Sequence, residues 1–380
     1  MNGSAGGLWE LVAGVRADGK SPDSVAIVGM AKNAGKTVVL NYLVRRATAA
    51  GVKVGLLSVG RDGEAVDVFT SRPKPRIWAP PGAVVATAPR PRAASVGWAN
   101  GGSALDNAGG LAAGLETPAV LDERTVRPTG IETALGEVVV ASVARAGRVE
   151  LIGPARLDEA RRLAELLRAE GAEFVFIDGA IDRMASAAVT PGQAVVLATG
   201  AVLSRDVAEV ARRTAFRVKL FLLPRVSLPL ALEEFEAGDD TVQAVVQAAE
   251  LGINGVVAVG QALTEADAEK AAGAAEGAEF LAVAGAVTDR LLVALGRRRF
   301  RGTLVARDAT RLVAGQSAVE FFESRGGRLA VLEPVRLLAV TVNSHNPTGP
   351  GIEAETLLGA VAGAVRPVPV FDVVHGRKGQ

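Results

Sequence analysis

The residues best suited to chemistry form a single turn, Gly29-Met30-Ala31-Lys32-Asn33-Ala34-Gly35-Lys36-Thr37, set between apolar runs at 25–28 and 38–43. Glycines let a backbone approach a phosphate closely, and N–H groups at the start of a following helix point at the anion. The spacing therefore predicts a phosphate cradle whose backbone comes from Gly29, Asn33, Ala34, Gly35, Lys36, Thr37 and Val38. Lys36 supplies charge to the phosphates, Lys32 adds a second positive charge over them, and the Thr37 hydroxyl is a ligand for Mg²⁺. The alternative is an ordinary strand-to-helix turn that contains Gly-Lys-Thr.

Mg²⁺ held by a hydroxyl and phosphates needs a carboxylate on its other side, directly or through water. Asp178 is the best candidate, because it ends the apolar run Phe174-Val175-Phe176-Ile177 and precedes Gly179. Such a residue emerges at the carboxyl edge of a parallel sheet, where ligands of open α/β folds bind. A capping role at a strand end is the alternative. Asp182 and Arg183 follow closely and are placed to line the same crevice. A second cluster, Gly60-Arg61-Asp62-Gly63-Glu64, offers Asp62 for metal binding or for orienting an attacking water, provided its strand neighbours the one before the turn. It equally suits a polar turn. Asn343-Ser344-His345-Asn346-Pro347-Thr348-Gly349 is a polar loop that reads either as a ligand or domain contact or as a plain connection.

The elements that must position these groups are legible in outline. A short N-terminal helix precedes a strand at 24–28, the turn, a helix at 37–50 and a strand at 53–59, with Gly51 as the stop. Parallel strands need such a crossover helix, so the expected fold class is mixed α/β with a doubly wound, mainly parallel sheet. A Pro-rich stretch at 72–91 and a Gly/Ala/Asn-rich run at 93–116 read as loop. Strands at 137–144 and 148–152 read as a hairpin. An amphipathic helix at 157–170 leads to the strand ending at Asp178, followed by a strand at 194–199 and a helix at 205–214. From Phe216 onward strands are expected at 217–223, 254–259, 279–283, 303–305, 328–332 and 336–342, then a helix at 352–365 and a strand at 368–373. The expected domains are 1–215, a nucleotide-binding domain with a loop-rich insertion at about 72–135, and 216–380, a second α/β domain.

Composition sets outer limits. The chain of 380 residues is 49% hydrophobic but only 4% aromatic, so its cores are built from Ala, Val and Leu. A formal net charge of +1 gives no chain-wide excess with which to hold a polyanion, and nucleic acid is not an expected partner. The basic run Arg297-Arg298-Arg299-Phe300-Arg301 reads as a solvated helix end, or as a contact for a phosphate or an acidic partner. With no cysteine, disulfides, thiolate nucleophiles and cysteine-held metals are excluded. No signal-peptide pattern opens the chain, and no apolar run reaches the ~18 to 20 residues of a membrane span, so a cytoplasmic protein without a membrane partner is expected.

The turn is one residue longer than the common pattern, with five residues between Gly29 and Gly35. In that it resembles the loop of dethiobiotin synthetase and its relatives in the P-loop NTPase superfamily, which implies an ATP-dependent ligase or kinase of a small metabolite. The Asn/Thr-Lys-x-Asp element with which GTPases read guanine is absent, which favours ATP. Five stretches, 29–37, 60–64, Thr-Gly-Ile-Glu-Thr-Ala-Leu-Gly-Glu-Val-Val-Val at 129–140, Ile-Asp-Gly-Ala-Ile-Asp-Arg at 177–183 and Pro-Val-Phe-Asp-Val at 369–373, together resemble the P-loop subunit of the lysine 5,6-aminomutase reactivases. That resemblance implies ATP- and Mg²⁺-dependent release of inactivated cobalamin from an adenosylcobalamin-dependent aminomutase, with a companion reactivase subunit. Lys36 and Thr37 would hold phosphate and Mg²⁺, and Asp178 matches the acidic strand end. The 93–116 run looks like an insertion relative to that family.

Overall fold

A computed structural model describes residues 7–17, 24–59, 61–62, 76–88, 97–99, 117–154, 156–179, 194–228, 242–246, 255–260 and 262–379. The chain forms a mixed α/β structure that divides into two compact units, one of 1–215 together with 336–380 and the other of 216–335.

The first unit begins with α1 (Leu8–Ala17), β1 (Ser24–Gly29), α2 (Lys36–Ala49), β2 (Val54–Ser58) and β3 (Arg61–Asp62). Short strands follow: β4 (Ile77–Ala79), β5 (Val84–Thr87), β6 (Gly97–Ala99) and β7 (Val120–Asp122). Next come the longer β8 (Arg127–Thr133) and β9 (Gly136–Arg145), then β10 (Gly147–Val149) and β11 (Leu151–Ile152). After α3 (Leu157–Ala169), β12 (Phe174–Asp178) and β13 (Ala194–Gly200), helix α4 (Val207–Phe221) carries the chain into the second unit. The second unit holds β14 (Val242–Val246), β15 (Val256–Val259), α5 (Glu265–Ala274), β16 (Phe280–Val283), α6 (Asp289–Arg297), β17 (Thr303–Ala306), α7 (Gln316–Ser324) and β18 (Arg328–Val331). The chain then returns to the first unit as β19 (Arg336–Asn343), α8 (Ala354–Ala364), β20 (Val370–Asp372) and β21 (Arg377–Lys378).

The sheet of the first unit has 12 strands, in the order β21-β20-β19-β13-β1-β12-β2-β5-β9-β7-β6 with β8 on β9. From β20 to β5 every neighbouring pair is parallel. The central strands β1, β12 and β13 are buried along their whole length, as strands covered on both faces must be. From β1 the chain first winds through α2 to β2 on one side and later places β13 on the other. That makes β1 a switch point, the place where open parallel sheets form a crevice at their carboxyl edge. On one face α1 and α2 pack Leu8, Trp9, Val12, Val39, Leu40, Leu43 and Val44 against Phe174 and Phe176.

Several expectations are overturned. Residues 336–380 do not belong to a C-terminal domain: β19 pairs with β13 over most of its length, and the second unit is inserted between α4 and β19. The described residues of 72–135 are partly sheet: β5 joins the main sheet beside β2, and β7 and β8 pair antiparallel with β9, which extends it. The 93–116 run lies outside the described residues except for β6. Residues 137–144 and 148–152 do not pair as a hairpin; β9 bonds to β5, β7 and β8, whereas β10 pairs with β4 and β11 with β3. Residues 217–221 continue helix α4 instead of opening a strand, because Val210, Thr214, Val218 and Phe221 repeat at helical spacing and are buried on one stripe.

In the second unit β15, β16, β17 and β18 lie in sequential order and run parallel, with β14 antiparallel at the edge. The crossovers between successive neighbours put α5, α6 and α7 on one face. There Val257, Leu281, Leu304 and Leu329 meet Ala271, Leu291, Leu295 and Phe322. The opposite face is made of smaller residues, Ala258, Ala282, Val305 and Ala330, packed with Val226 and Leu228. Among the described residues, no helix is long and apolar enough to cross a membrane.

Candidate functional site

The turn after β1 is held from several sides. Met30 N–H donates to the Ala198 carbonyl at 2.9 Å, which ties its entry to β13. Ala34 N–H donates back to Ala31 at 3.2 Å within the turn. Asn33 (φ 65°) and Gly35 (φ 103°) are both left-handed, a conformation that glycine adopts freely and asparagine tolerates. A Cβ on Gly29 would lie 3.0 Å from Lys36 Cγ and 3.1 Å from its Cδ, so this glycine makes room for the lysine stem.

Helix α2 begins directly at Lys36, and its first turn has neither a side-chain cap nor an acidic residue. Val39 N–H makes the first bond of the helix, to Gly35 at 3.1 Å. The N–H groups of Lys36, Thr37 and Val38 therefore lie at the positive end of the helix dipole with no carboxylate of the same turn competing for them. An anionic oxygen is the complement of such an end.

Across from this helix start stands Asp178. Its strand β12 is the immediate neighbour of β1, with Ile27 paired to Asp178, and Gly179 N–H bonds the Ile27 carbonyl at 3.0 Å. On its other side Val59 N–H bonds the Asp178 carbonyl at 3.1 Å, so its backbone is fixed between two strands. Lys36 Nζ lies 3.7 Å from Asp178 Oδ1 and donates to the Gly179 carbonyl. Lys36 is 8% exposed and Asp178 1%. Burying both charges is tolerable because they neutralise each other, and it brings the lysine and the strand-end carboxylate of the sequence reading together.

The other residues singled out fare differently. Lys32 is half-buried within the turn, and Thr37 and Val38 are half-buried in the first turn of α2. Asp62 lies in β3, paired with Leu151 of β11, and its side chain is outside the described residues. The adjacency required of it does not occur, because β12 stands between β1 and β2. Gly60, Gly63, Glu64, Asp182 and Arg183 are outside the described residues. Arg297–Arg301 closes α6 in the second unit, with Arg298 paired to Glu269 at 3.2 Å.

One contributor comes from the polar loop that the sequence read either as a ligand or domain contact or as a plain connection. Asn343 ends β19 opposite Gly200 of β13, and its side-chain Nδ2 donates to the Asn33 carbonyl at 3.5 Å. The polar loop it opens thus starts beside the turn. Its signal was the Asn at a strand end; what sequence could not supply was the pairing of β19 with β13 across the inserted unit.

Oxygen donors of this kind fit Mg²⁺, which keeps several waters and takes one or two protein ligands. Asp178 and Thr37 are the residues that would serve. Among the described residues no group of three or more His, Asp or Glu side chains is gathered as an all-protein metal site. Compared with protein-family models, with curated proteins and with solved structures, the chain matches none.

Proposed function

We propose that the first unit binds ATP with Mg²⁺ as a P-loop NTPase, the phosphates lying on the Gly29–Val38 backbone. The observation that carries this reading is the meeting, at a switch point of a parallel sheet, of an uncapped helix start, Lys36 and the buried strand-end Asp178. Lys36 exchanges its contact with Asp178 and Gly179 for phosphate oxygens, and the N–H groups of 36–38 orient the chain of phosphates. Mg²⁺, when bound, neutralises phosphate charge. Thr37 and Asp178 are the residues that would hold it.

The output of the cycle is proposed from the resemblance: a reactivating factor for an adenosylcobalamin-dependent aminomutase, working with a companion subunit. Nucleotide binding would shift a two-state equilibrium for which the mutase has differential affinity. Such a protein hydrolyses ATP slowly alone and faster with its partner. The test adds purified protein, companion subunit and ATP–Mg²⁺ to a cobalamin-inactivated aminomutase. Restored activity supports the reading, and no restoration removes it. The longer turn favours a second reading, a dethiobiotin-synthetase-like ligase or kinase, for which ADP release would surge with one carboxylated or aminated metabolite.

A further inference from the structure

The contact between Asn343 and the phosphate turn is built from both sides. Asn343 Oδ1 accepts the His345 N–H at 3.2 Å, a turn closed by the side chain that fixes the direction of the amide. With the acceptor end so engaged, the Nδ2 donor is aimed at the Asn33 carbonyl, 3.5 Å away. Two glycines leave space for the residue. A Cβ on Gly35 would lie 3.1 Å from Asn343 Cβ, and one on Gly200 would lie 2.4 Å from the Asn343 carbonyl oxygen. Asn343 therefore sits wedged between the end of β13 and the part of the turn where the backbone is left-handed, at Asn33 and Gly35.

We infer that Asn343 is a positioning residue for the phosphate turn: it holds the Asn33 carbonyl outward so that the N–H groups after it stay aimed at a polyphosphate. This rests on the nucleotide-binding reading above. The donor distance is at the long end for a hydrogen bond, and bonds of this kind tighten once a site is loaded. Its effect is accordingly on affinity for the phosphate chain and little on the stability of the free protein. The residue acts on the turn and not on the base, so ATP and inorganic tripolyphosphate depend on it alike.

The experiment uses the full chain with Asn343→Ala, Asn343→Asp and Lys36→Ala. Dissociation constants for ATP and for tripolyphosphate, each with Mg²⁺, are measured well below the melting temperature of each free variant. Asn343→Asp keeps the size and the acceptor for His345 N–H but loses the donor, so it carries the test if the alanine variant does not fold. Loss of one such bond predicts roughly a three- to tenfold weakening for Asn343→Ala, equal for the two ligands, and a larger one for Asn343→Asp. Wild-type affinity in both Asn343 variants, with binding lost in Lys36→Ala, overturns the role of Asn343 and leaves the nucleotide site standing. A loss for ATP but not for tripolyphosphate also overturns it, since the residue would then touch the nucleoside. Undiminished binding by Lys36→Ala overturns the nucleotide reading itself.

Discussion

Both units of this protein are built on mainly parallel sheets whose strands feed helices at their carboxyl edge, yet α2 of the first unit starts differently from α5 and α6 of the second. In the second unit the chain supplies its own anions. Thr264 caps α5 in a reciprocal box with Asp267, α6 has Asp289 in its first turn, and the Gly315 N–H at the cap of α7 donates to that same Asp289 at 2.6 Å. In the first unit α2 starts from a left-handed glycine with no side-chain cap and no acidic residue in its first turn. Capping groups stabilise a helix end by roughly 0.5 to 2 kcal/mol. At α2, beside a buried Lys36, the place of such a group is the one the proposed function gives to phosphate.

The contrast can be broken by giving α2 what α5 and α6 already have. Val38→Asp puts a carboxylate in the first turn of α2, which favours the helix by about 0.3 to 1 kcal/mol while repelling phosphate. The expected outcome is an unchanged or raised melting temperature with at least a roughly tenfold loss of ATP affinity. ATP affinity equal to wild type would show that the phosphates do not lie at this helix start.

Glycines sharpen the same comparison. Gly35 and Gly277 both have positive φ, at 103° and 78°, but a Cβ on Gly277 meets nothing within 4 Å whereas one on Gly35 meets Asn343. Alanine in a left-handed position costs roughly 1 to 2 kcal/mol. Gly277→Ala is expected to lower stability by about that amount and leave nucleotide binding intact. Gly35→Ala is expected to cost more and to weaken ATP binding as well, as denaturant melts and titrations would reveal.

The smallest effect concerns pH. The Thr264 hydroxyl, donating to Asp267 at 2.6 Å, holds that carboxyl below its ordinary value, helped by the Thr264 N–H. A depressed carboxyl contributes stability that is present above its unfolded value, near 3.9, and is lost as pH falls through the lower folded value. Thr264→Ala should therefore destabilise the second unit more at pH 6 than at pH 3, by urea melts at the two values. An equal cost at both would show that the cap does not depend on the charge of Asp267. Nucleotide affinity of the first unit is expected to stay unchanged.

How far the sequence reached follows from how local each feature is. The turn, β1 and α2 are contiguous, and glycine, lysine and threonine announce them without help from the rest of the chain. Asp178 was legible because an acid after four apolar residues marks a strand end wherever that strand lies in the sheet. Strand order was not legible. Asp62 was weighed as a neighbour of the turn because its strand follows α2 in sequence, but β12, contributed more than a hundred residues later in the chain, takes the place beside β1. The return of 336–380 was hidden for the same reason, since a buried parallel strand such as β19 carries no mark of which sheet it joins. Asn343 was thereby misplaced, although its residue type had drawn notice.

The most direct test of the account is an equilibrium titration of the free protein with ATP and Mg²⁺, run beside Lys36→Ala. The account predicts saturable binding in the wild-type protein, and a loss of roughly ten- to a hundredfold or more in the variant, the worth of a charge-assisted bond to phosphate. Circular dichroism would show both proteins folded at the temperature used. No binding by the wild-type protein, or the same affinity in Lys36→Ala, would contradict it.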